Sequence, residues 1–307
     1  MGIFYQILLH IIFPLFALIG VGICLHRLLK LSLSTLSTLT IYVLLPAVCF
    51  VNIYKSDISG NLIGQTLLFL LLFNLLLIMI SGLLTKVNRF DRQLSSTFKN
   101  SFVLSNSGNY GLPVSELVFS SNPAGMAIQI IVSIFQNLLT FTYGFYNSVS
   151  AQSSGKDIVW KILKLPVIYA LLLAVLLRWM HVDIPDYLWK PIENTSNAFS
   201  AIALITLGAQ VAYLKITRIS RPIAWIVIGR LVLSPCIAWL VIFGLGLSGT
   251  IAQALFIASA FPTSRNSALL ALEYDNYPNV ASQAVLLTTI LSSITVAIVI
   301  YLAKILF

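Results

Sequence analysis

The chain has 307 residues, of which 59% are hydrophobic and only 9% charged, with a formal net charge of +9 and a mean hydropathy of +0.97. Soluble domains carry about 25% charged and roughly 45–50% apolar residues, so this composition excludes a soluble globular protein. A spanning helix needs about 20 apolar residues to cross about 30 Å of hydrocarbon, which leaves room for roughly ten spans and no extramembrane domain. An outer-membrane barrel is excluded as well, because stretches such as 65–80 are almost unbroken Leu, Ile and Phe where a barrel strand would alternate. The fold class expected is an all-α polytopic membrane protein.

Apolar stretches broken at charged or Pro/Gly/Asn clusters place spans near 3–26, 37–54, 62–85, 97–121, 126–149, 159–181, 196–213, 221–245, 250–274 and 281–305. The first has no Lys or Arg before its apolar run, unlike a secretory signal, and reads as a permanent helix. Short cytoplasmic loops carry the excess of Lys and Arg. Taken alternately, the loops put Arg27, Lys30, Lys86, Arg89, Arg92, Lys99, Lys156, Lys161, Lys164, Lys215, Arg218 and Arg221 on one side. Only Lys55, Arg178, Lys190 and Lys304 fall on the other, so both termini are expected to be extracytoplasmic in a plasma-membrane protein. The basic connection after the fifth span divides the chain into two five-span halves, 1–150 and 151–307. An odd number of spans per half forces the halves into inverted orientation. Asn122-Pro123 before Ala127-Ile-Gln129 is echoed by Pro278-Asn279 before Ala281-Ser-Gln283. Each fourth span has a central proline, Pro113 or Pro262, followed by a carboxylate, Glu116 or Glu273. Inverted repeats of this kind are typical of secondary transporters.

The fourth span, SFVLSNSGNYGLPVSELVF, has two glycines, two asparagines and a proline within eight residues. Such a segment predicts two half-helices with an unwound crossing near 106–112, which lipid tolerates only where protein or a cavity surrounds it. A proline kink with asparagines as interhelical glue is the alternative. The ninth span repeats the disturbance at Pro262-Thr-Ser-Arg-Asn266. If both breaks meet at the midplane, second half-helices beginning near Pro113 and Pro262 would aim positive dipole ends at the crossing and favour an anion. Arg265 adds a full charge costing roughly 2.5–3.5 kcal/mol at a span centre on insertion scales, and its guanidinium suits a carboxylate. It could instead pair with a backbone carbonyl, Glu116 or Glu273. Candidate substrate-binding residues are therefore Asn106, Asn109, Gly111, Pro113, Gln136, Pro262, Ser264, Arg265 and Asn266.

Arg230 lies nine residues past Arg221, about 13 Å into the bilayer at 1.5 Å per residue, and needs a partner. Gln129, Ser133, Gln136, Asn137 and Thr140 draw one polar stripe, and Thr288, Ser292 and Thr295 another; each could flank a cavity or bond between helices. His10 and the single cysteines Cys24, Cys49 and Cys236 read as packing residues, with no metal-ligand spacing.

Asn106-Ser-Gly-Asn-Tyr-Gly111-Leu-Pro113, Pro262-Thr-Ser-Arg-Asn266 and Arg230-Leu-Val-Leu-Ser-Pro235 together resemble the auxin efflux carrier family. That family includes plant PIN-type auxin carriers and bacterial permeases for malate, malonate and related acids. The resemblance covers essentially the whole chain. It implies ten helices in two inverted repeats, a scaffold and a transport domain, and elevator-like movement of an organic anion. Asn106, Pro113, Pro262 and Asn266 would sit at the substrate site. The connection 150–158 is short where PIN carriers have a long cytoplasmic loop, and Arg265 stands where many relatives have a small residue. The function expected is a permease for a small mono- or dicarboxylate, with membrane lipid as its other partner, no cofactor, no nucleic acid and no enzymatic activity. A homodimer through scaffold helices is left open. The alternative is a crossed-helix sodium/proton antiporter, which would need intramembrane carboxylates that only Glu116 and Glu273 approach.

Overall fold

The computed structural model describes residues 5, 7–55, 60–149, 166–180, 182–212 and 219–307. The connection around 150–158, the start of the sixth span and the basic residues Lys156, Lys161, Lys164, Lys215 and Arg218 lie outside these. Every regular element described is helical: α1 Leu8–Leu29, α2 33–55, α3 Gly60–Val87, α4 Arg92–Val103, α5 Leu112–Val118, α6 123–149, α7 Pro166–Trp179, α8 Asp186–Asn197, α9 Phe199–Val211, α10 Arg221–Gly244, α11 Gly249–Ser259, α12 Arg265–Glu273 and α13 Pro278–Leu306. Five stretches are long and apolar enough to cross a bilayer unbroken: Leu8–Leu29, Leu62–Val87, Pro123–Ser148, Arg221–Gly244 and Pro278–Leu306.

Apolar side chains cover the outside as well as the inside, as expected where the solvent is lipid. On α3, Leu71, Leu75, Met79 and Leu83 are exposed along one face while Phe69, Leu70, Phe73 and Leu77 are buried on the other. Buried Thr66 and Asn74 return their donors to the Leu62 and Leu70 carbonyls of their own helix, which satisfies them without solvent. His10, expected to pack, is exposed on α1.

Prolines explain a recurring local feature. A proline inside a helix loses an N–H and drives its ring into the carbonyl four residues earlier. Here the wide turns Leu8–Ile12, Thr40–Leu44, Ser107–Gly111 and Gly229–Leu233 stand two residues before Pro14, Pro46, Pro113 and Pro235. Opening the turn to the i→i+5 pattern makes room for the ring and keeps the helix going.

The spans pair in two reciprocal sets. α1 packs along α9, and α2 along α7. The first contact is glycine-mediated: a Cβ on Gly22 would lie 2.1 Å from the Ile205 carbonyl oxygen, and one on Gly208 2.0 Å from that of Ile19. Arg27 of α1 donates to the Ala212 carbonyl at the end of α9 (Nη2 to O 2.9 Å), and Arg178 of α7 donates to the Tyr54 carbonyl near the end of α2. The helix α8 packs on α2, and the others form a second body, with α4 on α3 and α13, and α11 on α6 and α10. A separate amphipathic helix, α8, precedes the seventh span: Tyr187 and Leu188 stand exposed on it while Trp189 packs against Tyr54, and the apolar α9, Phe199–Val211, lies within the predicted 196–213.

Candidate functional site

Both interrupted spans break where the composition demanded. α4 ends at Val103, Leu104 turns extended (φ −77°, ψ 119°), and helical structure resumes with the wide turn Ser107–Gly111 that leads into α5. α11 ends at Ser259 and α12 starts at Arg265, with Ser264 extended (φ −64°, ψ 136°). The two extended segments pair as an antiparallel bridge, Ser105 opposite Thr263. The Asn106 amide donates to the Pro262 carbonyl and the Ser264 amide to the Leu104 carbonyl, both at 2.8 Å. Backbone groups stripped of helical partners thus satisfy each other, which hydrocarbon requires. Pro262 sits inside this bridge, three residues before α12, rather than opening the second half-helix as expected.

Arg230 is fully buried and serves the negative ends of the broken spans. Its Nε donates to Phe261 O (2.9 Å), Nη1 to Phe102 O (3.3 Å) and Val103 O (3.2 Å), and Nη2 to Ser259 O (3.1 Å). One guanidinium therefore caps the last carbonyls of α4 and α11 together. The wide turn at Gly229 lets it approach; a Cβ there would lie 1.9 Å from the Phe102 ring.

Other predicted residues divide between locking the crossing and lining open space. Gln136 is fully used: its Oε1 accepts from the Ser105 amide (3.3 Å) and its Nε2 donates to Asn74 Oδ1 (3.1 Å). Thr288 accepts from the Thr263 amide (3.1 Å), and Ser292 bonds the Tyr110 hydroxyl (2.9 Å), so these members of the α13 stripe hold the break. Gly111 is required sterically, since a Cβ would meet the Phe261 ring at 2.5 Å and Gln129 Nε2 at 2.8 Å. Pro113 is buried as the second residue of α5. Ser264 caps α12 by accepting from the Asn266 amide (3.2 Å). Asn109 and Asn266 are half-buried, each in the first turn after its break. Asn106 is buried, and its Nδ2 has no hydrogen-bond partner.

The two positive helix ends are left uncompensated. Neither the turn at Ser107 nor α5 nor α12 has an acidic residue in its first turn. Arg265 adds its guanidinium at the start of α12 and makes no hydrogen bond or ion pair among the described residues; Glu116, a partner considered for it, accepts instead from the Ser200 hydroxyl. Arg265 lines a cavity of about 480 Å³, within the range of small-molecule sites. The other walls are Leu33, Ser34, Thr38 and Tyr42 of α2, Leu207, Gln210 and Val211 of α9, Leu269 and Leu272 of α12, and Ser282 and Val285 of α13. Gln210, Ser34, Thr38 and Ser282 were not singled out from the sequence. A lone hydroxyl or amide near a span end is ordinary there, and only folding collects these four around one arginine. Of the nine candidates Arg265 alone lines this cavity; Asn106, Asn109, Gly111, Pro113, Gln136, Pro262, Ser264 and Asn266 do not, so the nine do not form a single open site.

Residues 147–300 match the profile of the family described as "Membrane transport protein". The chain belongs to this family, that of the auxin efflux carriers. It is 25% identical over 316 residues to the "Putative malonate transporter" of Rhizobium meliloti (strain 1021), covering 96% of this chain and 95% of that one. It is also 25% identical over 269 residues to an "Uncharacterized transporter" of Methanothermobacter thermautotrophicus (strain Delta H), covering 85% and 86%. The family and the long apolar helices make the protein a membrane-embedded transporter.

Proposed function

We propose that this transporter is a plasma-membrane permease that carries a small organic anion, a carboxylate, by alternating access of the elevator type. The observation that carries the reading is Arg265, a guanidinium unpaired among the described residues, at a positive helix end with no acid in its first turn, lining a cavity of about 480 Å³. Desolvating an arginine is costly without a counter-charge, and a carboxylate supplies two acceptors in the geometry the guanidinium presents. Asn106, with an unpartnered amide beside the other positive helix end, extends the proposed site across the crossing. Asn109, Gly111, Pro113, Pro262, Ser264 and Asn266 belong to the crossing beside the cavity rather than to its walls, and Gln136 positions the Ser105 backbone.

The ten spans are read as two inverted repeats, 1–150 and 151–307. Reciprocal packing supports this: α1 lies on α9 as α7 lies on α2, which is the exchange a pseudo-two-fold axis in the membrane plane produces. The arginine caps follow the same exchange, Arg27 onto Ala212 and Arg178 onto Tyr54. In this reading α1, α2, α7 and α9 are the scaffold, and the body locked by Arg230 and Gln136 is the moving part. The cavity lies between them, lined by chain that follows Lys30 and precedes Arg221, so it opens toward the basic, cytoplasmic face and both termini lie outside.

Proteoliposomes offered labelled monocarboxylates and dicarboxylates under imposed proton, sodium or voltage gradients test the proposal. Arg265→Ala and Asn106→Ala are expected to abolish carboxylate uptake while the purified proteins keep the wild-type melting profile. Unchanged uptake in both variants removes the site assignment, and cation flux without any acid removes the anion reading.

A further inference from the structure

The boundary between the two bodies carries a polar contact on the side away from the cavity. The helix α5 and the turn Ser107–Gly111, from the body proposed to move, both pack on α9 of the proposed scaffold. Across that boundary the Ser200 hydroxyl donates to the Glu116 carboxyl group. Glu116 lies three residues before the 119–122 connection and Ser200 three residues after α8, so both stand toward the face that carries Lys55 and Lys190. Nearly one turn further along α9, Ala203 is fully buried in an apolar cluster that also holds Leu112 of α5. An open cavity on one face is thus combined with a packed, hydrogen-bonded boundary toward the other.

Resting on the alternating-access reading above, we infer that the Ser200–Glu116 contact is a latch that holds the state in which the cavity is open. Glu116 and Ser200 are then positioning residues of the transport cycle rather than substrate ligands. A hydrogen bond reaches about 3 Å between heavy atoms, so a body that slides along α9 by one helical turn, about 5.4 Å, breaks this pair. A contact made in one of two states shifts the equilibrium toward that state by the free energy it contributes there. The net worth of a typical hydrogen bond corresponds to a population ratio of about ten. Removing the latch therefore raises the population of the opposite state, and the apparent affinity of substrate arriving from the outer side rises with it.

The test places a reporter cysteine at Ala203, by Ala203→Cys in a chain whose three natural cysteines are replaced by alanine, and follows its reaction with a water-soluble maleimide. Adding Ser200→Ala is expected to speed labelling about tenfold, and Ser200→Thr, which keeps the hydroxyl, should leave it near the starting rate. A second reporter, Thr38→Cys on the cavity wall, should label no faster with Ser200→Ala, whereas general loosening of the fold would speed both. In proteoliposomes of the chain with its natural cysteines, Ser200→Ala should lower the external half-saturation concentration for labelled malonate or butyrate, whichever wild type carries, by up to about tenfold. An unchanged rate at Ala203→Cys, an equal rise at Thr38→Cys, or an unchanged half-saturation concentration overturns the latch. The alternating-access reading survives those results if Ala203→Cys is labelled with Ser200 in place. If that cysteine stays unlabelled while the acid is carried, the sliding movement itself is refuted and the latch falls with it.

Discussion

Replacing Arg230 by methionine keeps most of the side-chain volume and deletes the donors. Four carbonyls lose a partner, those of Phe102, Val103, Ser259 and Phe261. The Ser259 carbonyl keeps a second donor, the Ser234 hydroxyl at 2.7 Å, so three are left bare inside the protein. At about 1–3 kcal/mol for each buried acceptor left unsatisfied, the loss is about 3–9 kcal/mol before relaxation. Relief from burying a lone charge offsets part of it, which leaves about 3–5 kcal/mol, the usual cost of breaking a buried charged contact. In a chain of this size that corresponds to a fall on the order of 10 °C in melting temperature.

Lysine separates charge from geometry. Its ammonium is a point donor that cannot reach the ends of α4 and α11 together, so Arg230→Lys should recover less than half of the loss. Ser234→Ala removes only a redundant donor and should cost about 1 kcal/mol or less. The measurement is thermal unfolding in detergent followed by tryptophan fluorescence, with all three variants beside the wild type. A methionine variant melting within 2–3 °C of wild type, or a lysine variant indistinguishable from it, would refute the claim that one guanidinium holds both helix ends.

Two further outcomes follow from the packing and the helix caps. Gly22→Ala and Gly208→Ala each push a methyl group to about 2 Å from a backbone carbonyl of the facing helix, so each should cost at least 1–3 kcal/mol, seen as a clear drop in melting temperature; Gly20→Ala, with open space around it, serves as the control and should be neutral. Asp91 caps α4 by accepting from the Leu94 amide (2.8 Å) and also from the Tyr277 hydroxyl (2.8 Å), and these bonds hold its carboxyl below the usual aspartate range. A depressed folded-state value means the contribution is present above about pH 4 and is lost as pH falls through the folded value. Acid should therefore lower the melting temperature of wild type slightly more than that of Asp91→Asn, which can cap without titrating. Identical acid sensitivity in the two proteins would exclude a role for this carboxylate.

Residues that lipid penalises were legible, and their partners were not. The run from Asn106 to Pro113 and the Pro262–Asn266 segment announce breaks because nothing else in a bilayer accommodates so many poor helix formers in eight or five residues. The wide turns before Pro14, Pro46, Pro113 and Pro235 follow from the same proline chemistry, although their widening shows only once backbone hydrogen bonds are traced. The helix α8 was not legible beforehand because Asp186–Asn197 lacks the continuous apolar signal that marks a span.

Arg230 and Arg265 show where this legibility ends. Each is a guanidinium deep in an apolar span, and from the sequence both demand a partner for the same reason. Folding gives them opposite roles. Arg230 reaches carbonyls contributed by residues 102, 103, 259 and 261, and the separation of those pairs along the chain hides the fact that two helix C-termini converge on it. Arg265 stands at a positive helix end, where it makes no hydrogen bond among the described residues and where added positive charge raises the demand for an anion. The end of the dipole that each arginine meets therefore decides the matter. The guanidinium at the negative ends is consumed by the fold, and the one at the positive end makes no bond among the described residues, which is why the proposed anion site is built on it.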